Sequence, residues 1–312
     1  MNPNERRRAF VSLPFAAAGA AWGKGALGQV AASAAAAGDD SPTRLALLIG
    51  NRSYPAPFDL PPVYKNVRDL GGALQARGFK VTSALDQNPG QMQAAIQAFS
   101  KVAAASPPDA TILFYYTGHG MQIDAENLML GSGVAPDARV ETLVSSSLQL
   151  RRDVIDQLPR RASGLTIAVV DACRRSLRAA LKATDGFNQV EAPLGCLIVF
   201  STGAGKPAIA PAVDTLNTFY TASLVKLLGS SDGETSFSDL FRLVKFDVQE
   251  TMENYPVAAI RQFTQIPFIA ENTQVRFPLA LRPEAQAAPP KFSAEDEAAA
   301  WRSLEESLWP AD

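Results

Sequence analysis

The chain contains a single histidine, His119, so any imidazole chemistry rests on that residue. It stands in Phe114-Tyr115-Tyr116-Thr117-Gly118-His119-Gly120, directly after an apolar run. Cys173 follows 54 residues later in Asp171-Ala172-Cys173-Arg174, directly after a second apolar run, Leu165 to Val170. A thiol of pKa ~8.5 is mostly protonated at neutral pH, whereas the thiolate is the nucleophile. A nearby imidazole takes the thiol proton and later delivers one to a leaving amine. A histidine and a cysteine, each just past its own buried strand, point to a cysteine nucleophile with its base. Gly118 and Gly120 flank the histidine and let backbone approach a substrate closely. The Gly120 and Cys173 amides are candidate oxyanion-hole donors, each such donor being worth ~3 kcal/mol in a transition state. Cys196, the other cysteine, opens an apolar run and reads as core filler.

Alternating strand and helix signals begin at Thr43. Strands are expected at Arg44–Gly50, Phe79–Ala84, Ala110–Tyr116, Leu165–Val170 and Leu197–Ser201. Helices are expected over Val63–Arg77, from Pro89 behind an Asn88 cap to Ala104, and over Ser147–Leu158, Thr218–Leu228 and Phe237–Glu253. Ser236 caps the last of these, with Asp239 as its capping-box partner. Residues 131–147 read as loop, and Ile266–Phe277 as a final strand or hairpin. This alternation predicts an α/β fold, a mainly parallel sheet with helices on both faces. Sites in such sheets form at the carboxyl ends of the strands. If the strands before His119 and Cys173 are neighbours, both side chains emerge at one edge.

The chain has 312 residues, 47% of them hydrophobic, and a net charge of −2. That supports a sizeable core and argues against nucleic acid as a partner. One histidine and two separated cysteines make neither a disulfide framework nor a zinc site. No apolar run reaches the ~18 residues of a membrane span. Residues 1–40 read as an export signal and linker. Arg6-Arg7-Arg8-Ala9-Phe10 resembles a twin-arginine motif, Val11–Trp22 is moderately apolar, and Ala35-Ala36-Ala37 offers a cleavage site. That predicts a periplasmic or secreted protein. Residues 42–280 form the expected main domain, and 281–312 a Pro/Ala-rich linker with an acidic amphipathic helix, Ser293–Leu308. Trp301, Leu304 and Leu308 share one face of that helix, which packs on the domain or meets a partner.

Residues ~43–280 resemble the caspase-like cysteine peptidases (peptidase C14), and among them the bacterial metacaspase-like branch, the orthocaspases. The matching pieces are Ala46-Leu-Leu-Ile-Gly-Asn51, Asn66-Val-Arg-Asp69-Leu with Gly78-Phe79, Tyr116-Thr-Gly-His-Gly120, Asp171-Ala-Cys-Arg174 and Gln265-Ile-Pro267. The resemblance implies a caspase-hemoglobinase fold and an endopeptidase acting on peptide or protein substrates. It implies a Cys173/His119 dyad with Gly120 and Cys173 amides as oxyanion donors. Caspases carry Gln-Ala-Cys-Arg-Gly, where this chain has Asp171 in place of Gln and Arg175 in place of Gly. Caspases also place an arginine before the position of Asp69, and Leu60–Lys65 contains none. Metacaspases line the primary pocket with acids at the positions of Asp69 and Asp171, and with a small hydroxyl at that of Thr117. The expectation is therefore cleavage after Arg or Lys, since two carboxylates suit a cationic side chain. Arg174, Arg175, Arg178 and Lys182 read as a solvated basic stretch, the alternative being self-cleavage near Arg178 or Lys182. Calcium activates some metacaspases, but no acidic cluster here matches a calcium loop, and no cofactor is assigned. The rival readings are a non-catalytic caspase-like scaffold and another Cys-dependent amide hydrolase.

Overall fold

The computed structural model of the chain describes residues 43–123, 126–161, 163–172, 175–176, 190–263 and 265–279. The expected export signal, the terminal helix, Cys173 itself and, of the basic stretch, Arg174, Arg178 and Lys182 lie outside the described residues. The apolar runs become β1 (Arg44–Gly50), β2 (Phe79–Leu85), β3 (Thr111–Thr117), β7 (Leu165–Asp171) and β9 (Cys196–Phe200). Between β3 and β7 lie β4 (Gly120–Ile123), β5 (Glu126–Leu130) and β6 (Ser147–Gln149); β8 (Arg175–Ser176) and β10 (Phe268–Asn272) come later. The helices are α1 (Val63–Gln75), α2 (Pro89–Ala104), α3 (Val140–Ser145), α4 (Phe219–Ser230), α5 (Phe237–Glu253) and α6 (Ala258–Arg261).

Six strands form one sheet in the order β10-β9-β7-β3-β1-β2, parallel throughout except for β10, which runs antiparallel to β9. Every residue of β1, β3 and β7 is buried, as a sheet covered on both faces requires. The two faces separate by alternation. Ala46, Leu48, Leu113, Tyr115, Ile167 and Val169 point toward α1, α4 and α5. Leu47, Ile49, Phe114, Tyr116, Ala168 and Val170 point toward α2 and the segment around Leu150–Ile155. This is the expected mixed α/β fold with helices on both faces.

The expected caps form. The Asn88 side chain accepts from Gln91 N at 3.0 Å while Gln91 Oε1 accepts from Asn88 N at 3.0 Å. Ser236 Oγ accepts from Asp239 N at 3.1 Å and donates to the Asp239 carboxylate at 2.6 Å.

Three expectations are corrected. The span 131–147 is not all loop, because α3 occupies Val140–Ser145 and buries Leu143. The helix expected over Ser147–Leu158 is instead β6 followed by a π-helical turn, Leu150–Ile155. Ser147–Gln149 pairs with β5, and the Asp153 carboxylate takes the Gln149 N–H at 2.8 Å, which ends the strand and starts the turn. The final strand is only Phe268–Asn272, and Val275 beyond it is exposed. The sequence reading also left residues 120–130 unassigned. They form the β4/β5 hairpin of a second sheet, β6-β5-β4-β8, whose Met121, Leu128 and Leu130 pack with Tyr54 and Leu143.

Candidate active site at the carboxyl edge

Strands β3 and β7 are parallel neighbours, and their last residues, Thr117 and Asp171, are register partners. His119 stands two residues beyond Thr117, and Cys173 two residues beyond Asp171 in sequence. The condition for pairing 119 with 173, adjacent strands ending level, is met.

His119 is held from three sides. Its N–H donates to Tyr54 Oη at 3.1 Å, and its carbonyl accepts from Leu130 N at 3.0 Å and lies 2.8 Å from Tyr116 Oη. Its Nε2 lies 2.8 Å from the Phe58 carbonyl, an acceptor only, so Nε2 carries the proton. In the neutral ring Nδ1 then holds the lone pair. The Tyr54 ring meets the imidazole edge-on at 4.5 Å. Burial lowers the His119 pKa, with the Phe58 bond pulling the other way. Gly118 is dictated by contact: a Cβ there would lie 2.5 Å from Tyr116 Oη and 2.9 Å from Tyr54 Oη.

The Tyr54–Phe58 loop is itself anchored on Asp86. That carboxylate accepts from Arg52 N at 2.8 Å, Ser53 N at 2.9 Å, Ser53 Oγ at 2.8 Å and the Tyr64 hydroxyl. Asp86 adopts a φ of 53°, the left-handed region that Asp tolerates better than most residues. Asn51 joins the same edge, its amide nitrogen donating to Leu130 O and Gln87 O at 3.1 Å each.

At the carboxyl end of β7 lies a buried polar chain. The Asp171 carboxylate accepts from Thr218 Oγ1 at 2.5 Å and Thr221 Oγ1 at 2.7 Å. Ser201 sits beside it, and the buried Tyr220 hydroxyl has no hydrogen-bond partner among the described residues. Burial raises the Asp171 pKa, and the surrounding hydroxyls pull it down. Asn66 completes the chain, with Nδ2 3.3 Å from Thr117 Oγ1 and 3.2 Å from Thr218 Oγ1, while its Oδ1 accepts from Thr218 N at 3.1 Å. Thr117 and Asp171 are thus brought together through Asn66 and Thr218. Asp69 does not join this chain; it pairs within α1 with Lys65 at 2.6 Å and with Arg68 at 3.3 Å.

Gly120 opens β4 directly after His119. Cys196 starts β9, buried and free, opposite Thr166 near the amino end of β7. Among the described residues no three His, Cys, Asp or Glu side chains are grouped to hold a metal ion, and no helix is long and apolar enough to cross a membrane.

Sequence reasoning missed Tyr54, Phe58 and Asp86, and it quoted Asn66 without giving it a role. A polar residue at a buried position of the apolar face of α1 is the signal that could have found Asn66.

No curated protein sequence matches the chain. Among solved structures it is similar to caspase-1 from Spodoptera frugiperda, with 16% identity and a TM-score of 0.58 over 78% of this chain and 92% of that one. At that identity the likeness speaks to the fold alone. The caspase domain family matches residues 43–277, more than half of the chain and all of the sheet just described. The chain therefore belongs to the caspase-domain family, peptidase C14, and carries the protease-like role that membership brings.

Proposed function

We propose that this protein is a cysteine endopeptidase of the metacaspase-like branch that cleaves after Arg or Lys. The observation that carries the reading is the level ending of β3 and β7, with His119 just beyond one and Cys173 following the other. In the proposed reaction the Cys173 thiol gives its proton to His119 Nδ1, and the thiolate attacks the scissile carbonyl carbon. The Gly120 and Cys173 N–H groups stabilise the oxyanion. The C–N bond breaks as the imidazolium protonates the leaving amine, leaving a thioester. Water, deprotonated by His119, then hydrolyses it and restores the thiol.

Basic selectivity rests on Asp171, a buried carboxylate two residues before the nucleophile. Thr117 adds a hydroxyl beside it, and Asp69, on the turn of α1 that follows Asn66, is the outer acid. A substrate cation displaces Lys65 from Asp69 in this scheme. We also propose export through the twin-arginine-like segment of residues 1–40, ahead of a peptidase domain over 42–280.

The test is turnover of peptides ending in Arg, Lys or Asp before a fluorogenic amide, by wild type, Cys173→Ala and His119→Ala. Arg or Lys turnover abolished by both substitutions supports the reading. Preference for Asp overturns the specificity. No turnover of any peptide favours the scaffold, and turnover of simple amides alone favours a different Cys-dependent hydrolase.

A further inference from the structure

The antiparallel edge of the large sheet carries a groove that the candidate active site does not use. It has a volume of about 910 Å³ and lies between α5 and β10, lined by Arg242, Lys245, Phe246, Ile269 and Glu271 among others. Phe246 is 63% exposed and Leu243, three residues earlier on the same helix, 45%. Phe246 stands beside β10, whose outer edge has no strand partner among the described residues. The groove's charged lining is two cations, Arg242 and Lys245, against one carboxylate, Glu271, with Arg242 paired to Glu271 at 3.7 Å and to Asp239 at 3.5 Å.

We propose that residues 293–308 of the same chain occupy this groove as an amphipathic helix. Trp301, Leu304 and Leu308 recur at spacings of three and four, and a lone helix cannot bury such a stripe by itself. Exposed Phe246 and half-buried Ile269 supply the apolar partner. The segment carries five carboxylates, Glu295, Asp296, Glu297, Glu305 and Glu306, against the single cation Arg302, so its charge complements Arg242 and Lys245.

The tether favours the chain's own segment over that of a second copy. Leu279 is anchored beside the start of α5, its N–H donating to Thr235 O at 2.8 Å, while Phe237 N donates to Phe277 O at 2.9 Å. The 14 residues from Leu279 to Ser293 span up to ~46 Å when extended. All 17 residues of α5 cover only ~25 Å. The groove is therefore within reach, at the high effective concentration a short tether gives.

The experiment places the photo-crosslinking residue p-benzoylphenylalanine at Phe246 in the full chain, using an equal mixture of isotopically light and heavy protein. Position 246 is exposed, so the substitution leaves the core untouched. Cross-links from 246 to peptides within 293–308, light to light and heavy to heavy only, are the expected result. Mixed light–heavy cross-links assign the groove to a second copy and overturn the proposal, as does the absence of any cross-link to 293–308. A paired Glu305→Lys/Glu306→Lys variant is expected to lower the yield about fivefold through lost charge pairing. Trp301→Glu is expected to lower it further, and yields unchanged by both variants overturn the proposal. This inference stands apart from the peptidase reading, since no outcome depends on activity.

Discussion

Nε2 of His119 is committed to the Phe58 carbonyl, which leaves Nδ1 to take the thiol proton in the proposed reaction, and burial lowers the ring's pKa. A base must be neutral to act. With a depressed pKa the ring stays neutral at pH 7 and protonates only below the ordinary value. The acid limb of kcat/KM against Arg peptides is expected to have its midpoint below ~6.5, read from initial rates across pH. Asp171 moves the other way. Its carboxyl is pushed up by burial, so it ionises above the usual carboxylate range and pairs with a cation only when ionised. KM for Arg peptides should therefore fall as pH rises through that range. Asp171→Asn, which keeps an oxygen for Thr218 and Thr221, is expected to lower kcat/KM for Arg peptides on the order of 10²-fold. His119 was legible in the sequence because no other histidine competes with it. Asn66 was not, because its partners Thr117 and Thr218 lie 51 and 152 residues away and only packing brings them together.

Among the elements, the strands were readable because each buried one is a continuous apolar run. The β4/β5 hairpin was not, since its strands are short and β4 starts at the Gly120 that also served the site argument. The π-helical turn defeats a periodicity reading, because Leu150, Val154 and Ile155 fit helical spacing while the backbone takes a wider turn. Gly118 lies where β3 meets the site. Gly118→Ala is expected to cost ~1–3 kcal/mol by overpacking against Tyr116 and Tyr54, lowering the melting temperature by several degrees in a thermal scan. Tyr54→Phe removes the acceptor of the His119 N–H together with the hydroxyl's own donation to Leu130 O. It is expected to cost ~1 kcal/mol of stability in denaturant titration, with a loss of kcat/KM because the histidine loses one of its supports.

On the scale of the whole molecule, the parallel sheet with two helical faces followed from the order of sequence signals. The antiparallel turn at β10 did not, because strand direction at an edge depends on the path taken by α5 and α6. One contact spans nearly all of the described chain. Arg44, the first residue of β1, donates to the carbonyls of Arg77 at 2.9 Å, Leu279 at 2.6 Å and Pro278 at 3.0 Å. Its guanidinium stacks near Phe79 and Phe237, and burial lowers its pKa to about 10. During synthesis, the strand that emerges first carries a buried cation whose last acceptors emerge 235 residues later. At ~5–20 residues per second that is a wait of tens of seconds at the slower rate. A chain stopped at Phe277 keeps every strand yet leaves Arg44 without two of its acceptors. Such a chain is expected to be released largely insoluble, as read from the soluble fraction after expression, whereas one stopped at Ala280 is not. Completion of this fold is thus an event in time, set by when the ribosome delivers Pro278 and Leu279.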